Sequence, residues 1–284
     1  MKDSTIHLFK MMACALFVGI FCFAAYKTAN TLLTAKQEQD AFDRLGALVS
    51  EQENSAGGIL PLAEEIPSTE EKSNPKNEES DIDEDSPIPL KKYIPLYELN
   101  IDFYGWLAIA GTEINYPVMF TPWESEYYLR RDFYGDYSQS GTPFIDGDCP
   151  ADGSYLLVYG HHMKNKTMFG ALPDYADQSF YEEHRIILFD TLYEQREYEV
   201  VAAFYSRLYE QNEAGVFRYY AYKDLSDPQV FEDYMSQVNA AAIYDTGVHA
   251  EYGDQILVLS TCNYHTSDGR FVVVARRVEQ EALR

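Results

Sequence analysis

The sequence predicts a mostly β domain with peripheral helices, β+α in class, carried behind an N-terminal transmembrane helix. Three observations predict it. A charge-free apolar run lies near the start, an acidic stretch rich in Pro, Ser and Glu follows it, and short β-rich runs punctuated by turn residues fill the chain from Tyr93 onward. The 284 residues are 46% apolar and 15% aromatic, which is enough to bury a core. A formal net charge of −24 repels phosphate backbones and anionic headgroups, so nucleic acid is excluded as a partner class.

The apolar run is Met11 to Tyr26, flanked by Lys2 and Lys10 before it and by Lys27 and Lys36 after it. At 1.5 Å rise per residue it spans roughly 24 Å, and Leu8 and Phe9 extend it toward the bilayer thickness if Lys10 snorkels. Residues 1–37 are therefore expected to be a short cytoplasmic tail and a signal-anchor helix over about residues 8–26. The alternative is a cleaved signal peptide, but Ala24, Ala25 and Tyr26 offer no clean small-x-small site. The lysines balance across the run, so orientation rests on the short N-terminal tail and the long acidic segment, which place the N-terminus inside and the rest outside. Residues 38–90 carry −12 and have linker composition, with AKQEQDAFDRLGALVSEQ reading as a short amphipathic helix ahead of a solvated tether.

Residues 91–284 form the folded domain, a usual size. Within it WLAIA, INYPVMF, SYLLVYG, RIILFD, EYEVVAAFY, DQILVLS and FVVVARR read as strands between Gly, Asp and Pro signals. SDPQVFEDYMSQVNAAAIYD reads as a helix, with Asp227 as cap, Pro228 in the first turn, and Phe231, Met235 and Val238 on one face.

Two of the four cysteines, Cys14 and Cys22, fall in the anchor, and the apolar run continues well past Cys14, which argues against a lipidated N-terminus. Cys149 and Cys262 could form one disulfide. Cys149 sits in the turn-like DGDCPADG, however, whereas Cys262 follows an apolar strand among polar Ser260, Thr261 and Asn263, so a free, reactive Cys262 is the sharper reading. SYLLVYG and DQILVLS are both central-strand runs, and each ends in a reactive side chain, His161 and Cys262, the way a rigid scaffold holds a nucleophile and its acid–base partner. After Cys262, NYHTSDG leads into a strand behind Arg270. As a hairpin this returns Arg270 to the sheet end that carries Cys262, where a guanidinium stabilises a thiolate or an oxyanion.

The plainer readings are that Cys262 is a small buried hydrophobe and that His161 and His162 are solvated loop residues. His184, His249 and His265 lack the strand-end context and are expected at the surface; Arg276 and Arg277 are expected beyond the strand body, capping its exposed end. Cys262, His265 and His161 could make a three-ligand zinc set, but no second Cys pair or H-E-x-x-H accompanies them. Asp146, Asp148 and Asp152 fit a calcium loop poorly, because Pro150 holds the third ligand position. The chemistry read from these residues calls for no cofactor and no metal.

The strand ending YGHHM, the strand ending LSTC and the Arg opening the next strand, together with GWLAIAGTEINYPV and YYLRRDFYGDYSQSGTPFID behind a membrane anchor, resemble the class B sortases from about Tyr93 to the C-terminus. The resemblance implies a closed sortase-type β-barrel with N-terminal helices and an extra helix before the last strands. It implies a cysteine transpeptidase on the outer face of a Gram-positive membrane. Such an enzyme cleaves a C-terminal sorting motif of a secreted protein, holds it as a thioester, and transfers it to an amine of the peptidoglycan precursor, the wall or a pilin. By position, Cys262 is the nucleophile, His161 the acid or base, and Arg270 the oxyanion and substrate-orienting group, with Ser260 and Thr261 lining the substrate pocket. The leading Thr of the family's T-L-x-T-C is here Val258, a change in packing on a buried strand. A Cys/His hydrolase that uses water as acceptor, and a non-enzymatic anchored binding module rich in Tyr, are the competing functions.

Overall fold

The computed structural model describes residues 2–56 and 87–278. Eight strands close into a barrel: β1 (Phe103–Ala108), β2 (Asn115–Met119), β3 (Phe144–Ile145), β4 (Tyr155–Tyr159), β5 (Ile186–Thr191), β6 (Glu197–Arg207), β7 (Ile256–Cys262) and β8 (Gly269–Val278), in the order β1-β2-β3-β4-β7-β8-β6-β5. All seven β-rich runs of the sequence are strands. The eighth, β3, has two residues, too few for any periodicity to show; it pairs parallel to β2 and antiparallel to β4 and so bridges the gap between them.

At the centre β4 and β7 pair in parallel, from Tyr155 opposite Ile256 to Tyr159 opposite Ser260. Their bodies are buried on both faces, which is why both read as continuous apolar runs rather than as alternating ones. β7 and β8 form the expected antiparallel hairpin, and β8 runs on against β6 along its whole length. This corrects the placement of Arg276 and Arg277. Both lie within β8, where Arg276 pairs with Glu199 at 3.2 Å and Arg277 with Glu194 at 2.9 Å, because the long partner strand β6 extends the ladder past the apolar stretch.

Helices flank the barrel: α1 (Lys2–Ala56), α2 (Ile94–Leu99), α3 (Gln178–Glu183) and α4 (Pro228–Ala241). The Asp227 carboxylate caps α4 by accepting from the backbone N–H groups of Gln229 and Val230 at 2.8 and 3.3 Å. Phe231, Tyr234, Met235 and Val238 bury its inner face, one residue more than the sequence pattern picked out.

Within α1 the stretch Leu16–Glu53 is long and apolar enough, by length and composition, to contain a membrane span. Its apolar side chains Leu16, Phe17, Phe21 and Phe23 are exposed. The helix does not stop at the acidic block. Residues 38–56, assigned with the linker, continue α1, and Phe42, Leu45 and Val49 at helical spacing are buried on the barrel. Phe42 meets Tyr116 edge to face with ring centroids 5.2 Å apart. The Lys92 ammonium joins Glu53 of α1 to Asp190 of β5, at 2.8 Å to each, and the Tyr93 hydroxyl donates to Asp190 at 2.8 Å. The rest of the expected tether, residues 57–86, lies outside the described residues.

If the helix is docked through these side chains, Leu45→Ala lowers the unfolding free energy by about 2–4 kcal/mol, since Leu45 is 1% exposed. Urea denaturation of the full chain in detergent checks this, and an unchanged midpoint would show that α1 is not part of the folded unit.

Candidate active site

The barrel's own hydrogen-bond register brings the candidate residues together. Cys262, the last residue of β7, stands directly opposite Arg270 on β8. Because β4 runs parallel to β7, its C-terminal end reaches the same rim, and His161 follows two residues after the final pair Tyr159–Ser260. Cys262, His161, Arg270, Ser260 and Thr261 all line one groove of about 430 Å³. Cys149 and Cys262 are both free thiols: Cys262 is half-buried, whereas Cys149 is buried and its thiol is pushed up to about 11 by that burial.

His161 Nε2 lies 2.8 Å from the carbonyl oxygen of Leu129. A carbonyl only accepts, so Nε2 carries the hydrogen and Nδ1 is left as the nitrogen available for proton transfer. Burial is the largest influence on the ring and lowers its pKa from the ordinary 6.5; the Leu129 bond opposes this, and the nearby Arg130 guanidinium adds to it. At neutral pH the imidazole is therefore neutral and ready to act as a base.

Past the last backbone bond of the β4–β7 ladder, Gly160 N–H to Ser260 O at 3.2 Å, two side chains continue it. Thr261 Oγ1 donates to Gly160 O at 2.7 Å, and His162 Nδ1 donates to Cys262 O at 2.9 Å. These bonds bracket His161 and hold the backbone of Cys262 itself. A Cβ on Gly160 would lie 2.6 Å from the Phe169 ring, so only glycine lets the turn into His161 pack this closely. Ser260 turns its hydroxyl to Tyr219, 2.7 Å away and fully buried. Ser260 and Thr261 thus shape the groove while their hydroxyls serve the scaffold. Arg270 donates to the backbone oxygens of Asp268 and Gly269 at 3.3 and 3.0 Å, and among the described residues it forms no ion pair, which leaves its charge for a bound anion.

The other candidates fall elsewhere. His265 packs its ring on Tyr205 and bonds to Asn263, and His249 is exposed. His184, expected at the surface, is half-buried: it stacks on Phe180 at 3.9 Å and bonds to that residue's carbonyl, closing the end of α3. Asp146 accepts from Lys223 and Tyr159 at 2.9 and 3.2 Å, and Asp152 pairs with Arg196 at 2.7 Å. Among the described residues no three metal-ligating side chains form a cluster.

Sequence reasoning missed four contributors. His162 was passed over for its neighbour. Leu129 acts through its backbone oxygen, which no motif reveals. Tyr219 comes from a remote 3-10 turn, Tyr219–Ala221. The acidic side of the groove, with Glu126, Asp146 and Asp148, is assembled from separate loops.

The sortase domain family matches residues 107–278. The chain belongs to the sortase family. Sortase B of Staphylococcus aureus is 31% identical over 188 residues, covering 65% of this chain and 73% of that protein. Sortase B of Listeria monocytogenes is 29% identical over 187 residues, covering 64% and 72%. In three dimensions the S. aureus sortase B–substrate complex is similar with a TM-score of 0.67 at 25% identity, covering 87% of this chain and 99% of that one. A sortase B structure from Bacillus anthracis aligns with a TM-score of 0.59 at 28% identity, covering 68% and 86%. The closed barrel with its helices is the sortase B fold, and the reaction class is that of a sortase-type cysteine transpeptidase.

His161 is expected to titrate below 6.5 in an NMR pH series. With the folded pKa depressed, the unfolded chain binds the proton first as pH falls. Stability contributed by the neutral ring is therefore full above the unfolded value and is lost as pH drops from about 6.5 through the lower folded value. A midpoint at or above 6.5 would contradict the burial of the ring.

Proposed function

We propose that the chain is a single-pass membrane enzyme, with its barrel on the outer face of the membrane, that joins secreted proteins to a wall or pilin amine. Cys262 is the nucleophile, His161 the acid–base and Arg270 the oxyanion-binding group. The observation that carries this reading is the register pair Cys262–Arg270, with His161 at the end of the adjacent parallel strand and all three in one groove.

The steps follow from the groups present. The thiol proton passes to neutral His161, and the Cys262 sulfur attacks the carbonyl carbon of a sorting-motif peptide bond. Negative charge gathers on the carbonyl oxygen, where the unpaired Arg270 guanidinium stabilises it. The imidazolium then gives its proton to the leaving amine, the C–N bond breaks, and a thioester remains on Cys262. An incoming amine attacks the thioester, loses its proton to His161, and the new amide forms as the thiol is released. The relative from S. aureus is known as a substrate complex, which supports a peptide occupying the corresponding groove here. The apolar stretch of α1 supports the membrane anchoring, and the balance of flanking lysines leaves the short N-terminal tail as the segment kept inside.

The test is to mix the full chain in detergent with a library of sorting-motif pentapeptides and an amine donor, and to read products by mass spectrometry. Ligated peptide and a thioester on Cys262 are expected. Hydrolysis alone would replace the transpeptidase with a hydrolase using water as acceptor, and no adduct on Cys262 would favour a binding module. Cys262→Ala should abolish turnover. His161→Ala should lower it by about 10²–10⁴-fold and Arg270→Ala by about 10²–10³-fold, with wild-type rates in any of the three refuting the assigned role.

A further inference from the structure

Two consecutive residues of α1 reach the two separate segments that hold His161. The Glu38 carboxylate accepts from Ser138 Oγ, the Gln139 N–H and Ser140 Oγ at 2.8, 2.9 and 2.6 Å. The segment that follows is laced to residues 128–131: Ser138 N–H donates to Arg130 O at 3.0 Å, Thr142 N–H to Tyr128 O at 3.1 Å, and Thr142 Oγ1 to Arg131 O at 3.0 Å. Between these bonds lies Leu129, whose oxygen receives His161 Nε2–H. Gly141, at φ +62°, passes so close that a Cβ there would stand 2.5 Å from that same oxygen. Ser140 also lines the groove. Ser138 and Ser140 are 1% and 4% exposed, so without Glu38 two buried hydroxyls lose a charged acceptor that water does not readily replace.

The neighbouring Gln39 acts on the other segment. Its Oε1 accepts from the Tyr116 hydroxyl at 3.0 Å, and that hydroxyl accepts from the Met168 N–H at 3.1 Å. Met168 holds the left-handed φ of +52°, unusual for a side chain of its size. It bridges to His162, and the N–H of the next residue, Phe169, donates to His161 O at 3.0 Å.

We infer that α1 is a working part of the active site, with Glu38 and Gln39 as positioning residues that brace the two segments holding His161. The anchoring helix thus sets the geometry of the reaction as well as the location of the enzyme. The inference rests on the acid–base role proposed for His161.

The experiment uses the full chain in detergent with Glu38→Ala, Gln39→Ala and the double variant, and with Leu45→Ala and Arg44→Ala on the same helix as comparators. All are measured at a temperature where each is folded. The double variant is expected to lower kcat about tenfold or more, the scale of a small misplacement of a catalytic group, and to move the His161 NMR titration up toward 6.5 as the ring gains water. Leu45→Ala is expected to lower the melting temperature while keeping the wild-type kcat and titration, and Arg44→Ala to change none of the three. A double variant that only melts earlier, with wild-type kcat and His161 titration, would overturn the inference, as would a Leu45→Ala that reproduces both changes. Wild-type turnover in His161→Ala would instead remove the catalytic role of that ring, a failure of the proposed function that this comparison separates from a failure of the brace.

Discussion

The active rim depends on the parallel pairing of β4 with β7 at the centre of a closed barrel. Parallel strands end on the same side, so two segments a hundred residues apart deliver His161 and Cys262 to one rim. The antiparallel return of β8 adds Arg270 there without any further device. Burial of both strand bodies fixes this register. A slip by one residue would exchange the two buried faces of either strand, mismatching side chains packed on each side, and would carry its terminal side chain to the opposite face. Closure removes free edges, so each strand is held from both sides and the rim inherits the rigidity of the core.

At the rim the backbone ladder runs out while polar groups are still poorly exposed, and side chains satisfy them. Thr261 meets Gly160, His162 meets Cys262, Ser260 meets Tyr219, and His161 meets Leu129. Each bond removes the cost of an unpaired polar group near the core and also fixes a groove-lining residue or its neighbour. Stability and preorganisation are here the same interactions. What these bonds leave open toward the groove is the Cys262 thiol, one nitrogen of His161 and the Arg270 charge. The groove they face is mixed in sign, since Glu126, Asp146 and Asp148 stand across it and Lys223 offsets the two aspartates at 2.9 and 3.7 Å.

The N-terminal helix couples a candidate membrane span to this scaffold. One continuous helix carries an apolar stretch fit for a membrane and, further along, a buried face seated on β2 and the barrel wall. Its polar contacts at Glu38, Gln39 and Glu53 spread along the docked part, so the barrel is held by several turns of helix. A flexible tether would leave the barrel free to tumble; a docked helix of 1.5 Å rise per residue gives it a set distance from the end of the apolar stretch.

By itself the sequence determined the strands with long apolar bodies, the capped helix α4, and which three polar side chains stand at the strand ends that meet in the groove. Each of these is written in local periodicity or in a polar residue placed at the end of an apolar run. The hairpin from Cys262 to Arg270 was legible too, because a short polar loop between two strands leaves little choice of geometry. Tertiary structure alone decided the rest. The strand β3 is too short to carry a period; Arg276 and Arg277, at the end of the run FVVVARR, found their partners Glu199 and Glu194 only once β6 paired with β8; and His184 stacks half-buried on Phe180. The amphipathic helix read over AKQEQDAFDRLGALVSEQ was legible, but its continuity with the apolar stretch and its docking through Phe42, Leu45 and Val49 on an apolar wall were not, since net charge does not report that gain. Leu129 and Glu38 matter through a backbone oxygen and through hydroxyls about a hundred residues away, and such partners exist only once the barrel has closed.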